Sequence, residues 1–245
     1  MSHHTPVMSP EGTPMADRTV GEIVAESPGL SRVFQRNKLD FCCQGGKTLR
    51  EACEKKELNL DQIVSELENE GKNQTGDEAN PALLPPIELA DYIVEKHHGF
   101  LYQELPRLHA MAQRVAQVHG GHTPSLVEVF QVFDHLFVEL SNHMAKEEQV
   151  LFPAIKKLAG DDSQPSTFNA PIDAPIAMMR HEHEDSGADL EKLNELTNGH
   201  QPPPEACNTY RALFAGLADL EKDLHTHIHL ENSVLFPAAE KLAAA

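Results

Sequence analysis

The sequence predicts an all-α protein: an up-down-up-down four-helix bundle preceded by a small helical domain. Three observations predict it. From about residue 87 onward, apolar residues recur at helical spacing almost without interruption. Short connections bearing Gly or Pro cut that stretch into four long segments, and short connections make sequential helices antiparallel neighbours. No segment shows the strict alternation of a half-buried strand.

The elements follow in order. Residues 1–17 read as a disordered tail, and the first twenty residues lack the apolar core of a signal peptide. Residues 18–70 form the small domain. In it, Ser27-Pro28 supplies a cap and a first-turn proline, Thr48 caps a helix over 49–57, and Asn59 caps one over 60–67. Residues 71–86 (GKNQTGDEANPALLPP) turn polar and then Pro-rich, which reads as a linker. The bundle occupies 87–245. Its first helix runs from about 87 to 118 and stops at Gly120-Gly121. The second starts at Thr123-Pro124 and runs to about 159. The third begins near Asp173 and ends before Asn198-Gly199. The fourth follows Pro202-Pro203-Pro204 and runs to about 242.

Composition narrows the function. With 38 acidic and 20 basic residues the formal charge is −18, which argues against partners such as nucleic acid or an anionic membrane. No apolar run approaches the roughly 18–20 residues that span a bilayer, so a cytoplasmic protein is expected. The four cysteines, two of them adjacent, do not resemble a secreted disulfide framework. The 15 histidines, most of them after residue 97, are the unusual feature.

Spacing raises some of these above ordinary surface residues. The stretch NHMAKEEQVLFP at 142–153 recurs as THIHLENSVLFP at 226–237, an offset of 84, with the shared skeleton His-x-x-x-Glu-x-x-Val-Leu-Phe-Pro. His143 therefore matches His227, and Glu147 matches Glu231. A repeated helix implies a repeated hairpin. His98 and His143 are 45 residues apart about the turn near Gly120, and His183 and His227 are 44 apart in the second hairpin. Equal distance from a turn puts residues of antiparallel helices at one height. His143 and His183 likewise lie symmetrically about residue 163, in the loop GDDSQPST. Each helix thus presents one histidine at one level, although His97 beside His98 leaves the first position ambiguous.

His and Glu four residues apart share a helical face. Two such pairs and one further His from each remaining helix direct four imidazoles and two carboxylates inward. Unpaired buried carboxylates are costly, and cations are the usual resolution. Imidazole with carboxylate suits iron. Two carboxylates can bridge two non-haem ions in a bundle core, leaving room for an oxo or hydroxo bridge. The histidine-rich, His-x-x-x-Glu order marks the site as hemerythrin-like, distinct from the carboxylate-rich ferritin-like one. Most other histidines, among them His97, His200 and His229, read as surface. Pro153 and Pro237 should kink their helices just past the site, and the preceding Val-Leu-Phe reads as core closing the cavity. Glu139, one turn before His143, and Glu182, directly before His183, are candidates to orient a ligand. Glu148 reads as an ordinary acid.

The motifs YIVEKHHGFLYQELPRL (92–108), ELSNHMAKEEQVLFP (139–153), MMRHEHEDSG (178–187), PPPEAC (202–207) and DLHTHIHLENSVLFP (223–237) resemble the Repair of Iron Centers family of bacterial di-iron proteins. The resemblance covers about residues 18–245. It implies His98 rather than His97, and His183 rather than His181, so the implied ligands are His98, His143, Glu147, His183, His227 and Glu231. The segment 20–58 resembles that family's N-terminal domain with its adjacent cysteine pair. Cys42 and Cys43 lie near a helix start able to lower a thiol pKa, a pattern that two partly buried small apolar residues would also give; the resemblance implies a functional pair, with a redox, electron-transfer or iron- or cluster-contacting role. Cys53 and Cys207 read as structural. The resemblance implies repair of iron–sulfur clusters damaged by nitrosative or oxidative stress, with labile iron supplied to damaged client proteins. Its alternatives are nitric oxide or peroxide reduction at the di-iron centre, and carriage or sensing of dioxygen. A homodimer is also compatible with it.

Overall fold

A computed structural model describes residues 13–73, 80–163 and 171–244. It contains no strand among those residues, and an isolated bridge joins Thr19 and Thr48. The chain forms two compact units. The first comprises the described residues up to Leu84 together with Ile228–Pro237, and the second comprises Pro85–His227 with the residues after Pro237.

In the first unit, α1 (Val20–Glu26), α2 (Ser31–Arg36), α3 (Leu49–Lys55) and α4 (Leu60–Asn73) surround a core that includes Val20, Val33, Phe34, Leu49 and Ile228. Thr19 and Thr48 each start a helix by the reciprocal device in which the Thr hydroxyl accepts an N–H three residues on. Glu22 and Glu51, respectively, return the bond to the cap N–H. Asn59 accepts the Gln62 N–H at 3.1 Å. The Ser27 side chain makes no cap bond. Pro28–Leu30 is instead a 3-10 turn in which Ser31 Oγ donates to the Pro28 carbonyl at 2.6 Å. Of the expected N-terminal tail, residues 1–12 lie outside the described residues. Met15–Asp17 forms a 3-10 turn, and Asp17 pairs with Arg50 at 2.8 Å. In the expected linker, residues 74–79 lie outside the described residues, α4 continues to Asn73, and Asn80 Nδ2 donates to the Ala25 carbonyl at 2.8 Å.

The second unit carries the long helices. α5 (Pro86–Ile93) runs through a π-helical turn, Val94–His98, into α6 (Gly99–His119). Pro124 occupies the N-cap position of α7 (Ser125–Lys146) with no side-chain cap bond, and α7 passes through the π-turn Glu147–Leu151 into α8 (Phe152–Leu158). α9 is Asp173–Leu196. α10 (Asn208–Leu230) passes through the π-turn Glu231–Leu235 into α11 (Phe236–Ala243). The prolines of the two VLFP motifs thus fall just after wider π-turns. That is where a residue lacking N–H, and clashing with the carbonyl four residues back, is accommodated.

Buried residues recur every three or four positions, forming the stripe that a helix turns toward a core. In α6 they are Leu101, Leu105, Leu108 and Ala112; in α7, Val129, Phe133, Leu136, Leu140 and Met144; in α10, Leu213, Leu217, Leu220 and Leu224. The leucines, the Phe and the Met among them are of the kind whose truncation to Ala costs about 2–5 kcal/mol.

The connection after α9 buries His200, which the sequence reading places at the surface, in a polar cluster. Asn198, Gly199 and His200 all adopt positive φ, and His200 turns inward, with Nε2 donating to Glu221 Oε2 at 2.6 Å. Asn194 Nδ2 donates to the same carboxylate at 3.1 Å. Burial alone would raise the Glu221 pKa, but the bonds from His200 and Asn194 outweigh it and hold the carboxyl below its usual range. A carboxylate with a depressed folded pKa contributes stability above its unfolded pKa of about 4.3, and that contribution is lost as pH falls. Glu221→Gln should therefore be less stable than the wild type by about 1.5 kcal/mol at neutral pH. In denaturation measured across pH, the gap should close below about pH 4.

Candidate metal centre

The buried stripes continue directly into the candidate ligands. In α7, Leu140 is followed three residues on by His143 and then, four further, by Glu147. The fourth long helix repeats this with Leu224, His227 and Glu231. In the first, His98 precedes Leu101 by three residues. In α9, His183 lies four residues after Met179 and seven before Leu190. The apolar periodicity that folds the bundle therefore also turns these six polar residues inward, and all six are buried.

Two groups result. Ligand atoms of His98, Glu147, His227 and Glu231 lie within 4.8 Å of one another, as do those of His143, Glu147, His183 and Glu231. Each group has two imidazoles, and both groups contain Glu147 and Glu231. His143 Nε2 stands 3.1 Å from His183 Nε2 and 3.3 Å from Glu147 Oε2, while His98 Nε2 is 3.4 Å from the same oxygen. Two nitrogens bound to one cation at about 2.1 Å would be separated by about 3–3.4 Å. The donor set and its spacing therefore fit a divalent metal.

The outer nitrogens show which face of each ring points inward. His98 Nδ1 donates to Glu148 Oε1 at 2.8 Å, and the Tyr102 hydroxyl donates to the same oxygen at 3.0 Å. His143 Nδ1 donates to Glu182 Oε2 at 2.9 Å, and Lys146 Nζ holds the other Glu182 oxygen. An ionised carboxylate only accepts, so each ring carries a proton on Nδ1, and Nε2 is the atom turned toward the core, where it would bind a cation. The His143 hydrogen bond, reinforced by Lys146, holds the Glu182 carboxyl at about 2. Glu148 is thus not an ordinary acid. The π-turn that begins at Glu147 and the one that ends at His98 bring the two together, and neither is visible in the local sequence. Glu182 serves His143 across the helix interface rather than its neighbour His183. Glu139 is exposed, on the face that carries His135, and so is not placed to orient a ligand. Glu148→Gln, which retains only a neutral acceptor for His98, should weaken metal binding about 10–100-fold. Competition with a chromophoric chelator would measure this, and Tyr102→Phe should have a smaller effect.

His97 is buried, its Nδ1 bonds Asp223 Oδ1 at 3.0 Å, and its ring stacks on His227 at 5.4 Å and 6°. It supports a candidate ligand without joining either group. His229 is buried against Phe41, and burial pushes its pKa down to about 4. In the first VLFP motif, Leu151 and Phe152 are buried and Phe152 stacks on His98 at 5.8 Å, but Val150 is exposed. The Cys42 thiol is not lowered. A hydrogen bond with Cys43, burial and the nearby Asp40 carboxylate all raise its pKa. Thr48 caps the following helix with its own side chain, leaving no helix terminus for the thiol to use. Cys207 is exposed, with Sγ 3.3 Å from His119 Nε2. No helix among the described residues is long and apolar enough to cross a membrane.

A four-helix bundle with two histidine-rich groups that have both carboxylates in common defines a hemerythrin-like protein. Residues 89–239 match the Hemerythrin HHE cation binding domain, and residues 16–70 match a domain of unknown function, DUF542. The iron–sulfur cluster repair protein YtfE of Pectobacterium atrosepticum is 39% identical over 223 residues, covering 91% of this chain and 96% of the relative. The proteins of the same name from Edwardsiella ictaluri and Escherichia coli are 39% and 36% identical, with the same coverage. The chain belongs to the hemerythrin HHE family, in the branch that contains these repair proteins.

Proposed function

We propose that this protein holds two iron ions and takes part in the repair of damaged iron–sulfur clusters by supplying labile iron to the damaged proteins. The observation that carries the reading is that Glu147 and Glu231 belong to both buried groups, so two cations would share two bridging carboxylates, each completed by two imidazoles. His98 and His227 would hold one ion, His143 and His183 the other. The bound ions would supply exchangeable iron and a redox couple. The chain itself contributes imidazoles, two of them oriented by Glu148 and Glu182, and the buried Phe152 ring stacked on His98. The names of the relatives support repair over nitric oxide reduction or dioxygen carriage.

The test is anaerobic loading with ferrous iron, followed by iron analysis and Mössbauer spectroscopy. The loaded protein would then be incubated with a cluster protein damaged by nitric oxide. Two irons per chain and return of the client's cluster absorbance are expected, with chelated protein giving no return. Fewer than one iron per chain, or equal return without iron, would defeat the proposal.

A further inference from the structure

The loop between α2 and α3 holds a second cluster of metal-ligating atoms, built from Asp40, Cys42 and Cys43. After α2 the chain reverses through Lys38 at a φ of 51°, and Asp40 Oδ1 then accepts the N–H groups of Cys42 at 3.0 Å and Cys43 at 2.9 Å. That turn places both thiols on one side. The two sulfurs are 3.6 Å apart, and Cys42 Sγ is 3.3 Å from Asp40 Oδ1.

The loop is held rigidly within its unit. Phe41 and Cys42 are buried, and the Cys42 carbonyl accepts Asn232 Nδ2 at 3.2 Å. The Gly45 carbonyl accepts the Gly21 N–H at 2.9 Å. A Cβ on Gly45 would come within 2.7 Å of the Phe41 carbonyl, so this close approach requires glycine.

These distances match the edges of a metal polyhedron. Two thiolates bound at about 2.3 Å with a tetrahedral angle stand about 3.8 Å apart, and a carboxylate oxygen bound at about 2.1 Å stands about 3.6 Å from a thiolate. A disulfide, by contrast, needs about 2.05 Å between sulfurs. Lys47 and Lys55 both donate to Gln44 Oε1, at 2.7 and 3.0 Å. The component that this two-thiol, one-carboxylate cluster calls for is a cation. Cations of the zinc class accept that donor set in tetrahedral geometry.

We propose that Asp40, Cys42 and Cys43 form a second metal site, for a thiophilic divalent cation of the zinc class, with a fourth position left to water or an outside ligand. Binding forms two metal–thiolate bonds and one metal–carboxylate bond and releases the two thiol protons to solvent, so affinity rises with pH. The site is independent of the bundle centre, which contains no cysteine.

The full-length reduced, metal-free chain would be titrated with cadmium while ultraviolet sulfur-to-cadmium charge-transfer absorbance is followed. One equivalent should develop the band, with the same amplitude in Glu147→Leu and Cys207→Ser. Cys43→Ser should abolish it, and Asp40→Asn, whose side-chain oxygen can still accept the two N–H bonds, should weaken binding at least tenfold. Helical circular dichroism would establish that each variant is folded. No band in the wild type, or a band unchanged by Cys43→Ser, would overturn the proposal.

Discussion

Stripping the metal from the native protein is expected to lower Tm by roughly 8–16 °C. A ligand present at about 1,000 times its Kd stabilises the folded state by about 4 kcal/mol, and in a chain of this size each kcal/mol moves Tm by about 2–4 °C. The physical source of the effect is the burial of Glu147 and Glu231, both 0% exposed, among four buried imidazoles. Taking a carboxylate out of water costs several kcal/mol unless charge is supplied beside it. Differential scanning calorimetry with and without chelator would check the difference. A shift of less than about 2 °C would mean that the groups do not depend on a cation.

Glu147→Leu should have a larger effect on the centre than loss of any one histidine, because Glu147, like Glu231, belongs to both groups. Iron per chain after anaerobic loading should fall from two to one or fewer, and cluster restoration should fall with it. The same variant should make the metal-free protein more stable, by about 1–4 kcal/mol, since an apolar side chain of similar volume replaces a buried charge. Opposite changes in iron content and apo stability would separate a ligand from a merely structural residue, whose loss lowers both. Glu148→Gln, in contrast, should retain two sites of lower affinity.

The bundle was readable because helix geometry is local. Three- and four-residue spacing places Leu140, His143 and Glu147 on one face whatever the helix packs against, and symmetry about the turns sets four histidines at one height. The same regularity hid the departures from it. The π-turns beginning at Val94, Glu147 and Glu231 insert a wider turn next to the candidate ligands, and no propensity rule marks them. The burial of His97, His200 and His229 depended on the partners Asp223, Glu221 and Phe41, which are distant in sequence or on another element.

By itself the sequence determined the helices, the duplicated hairpin and five of the six inward-facing histidines and glutamates, since each follows from residue spacing along one chain segment, whereas spacing left His98 undivided from His97. Only the tertiary structure decided that Glu148 orients His98, that Glu182 orients His143 while Glu139 stays exposed, and that Asp40 gathers Cys42 and Cys43 into one cluster. Those contacts are set by side-chain reach across helices and by the backbone path of a loop. Neither has a period that a sequence can display.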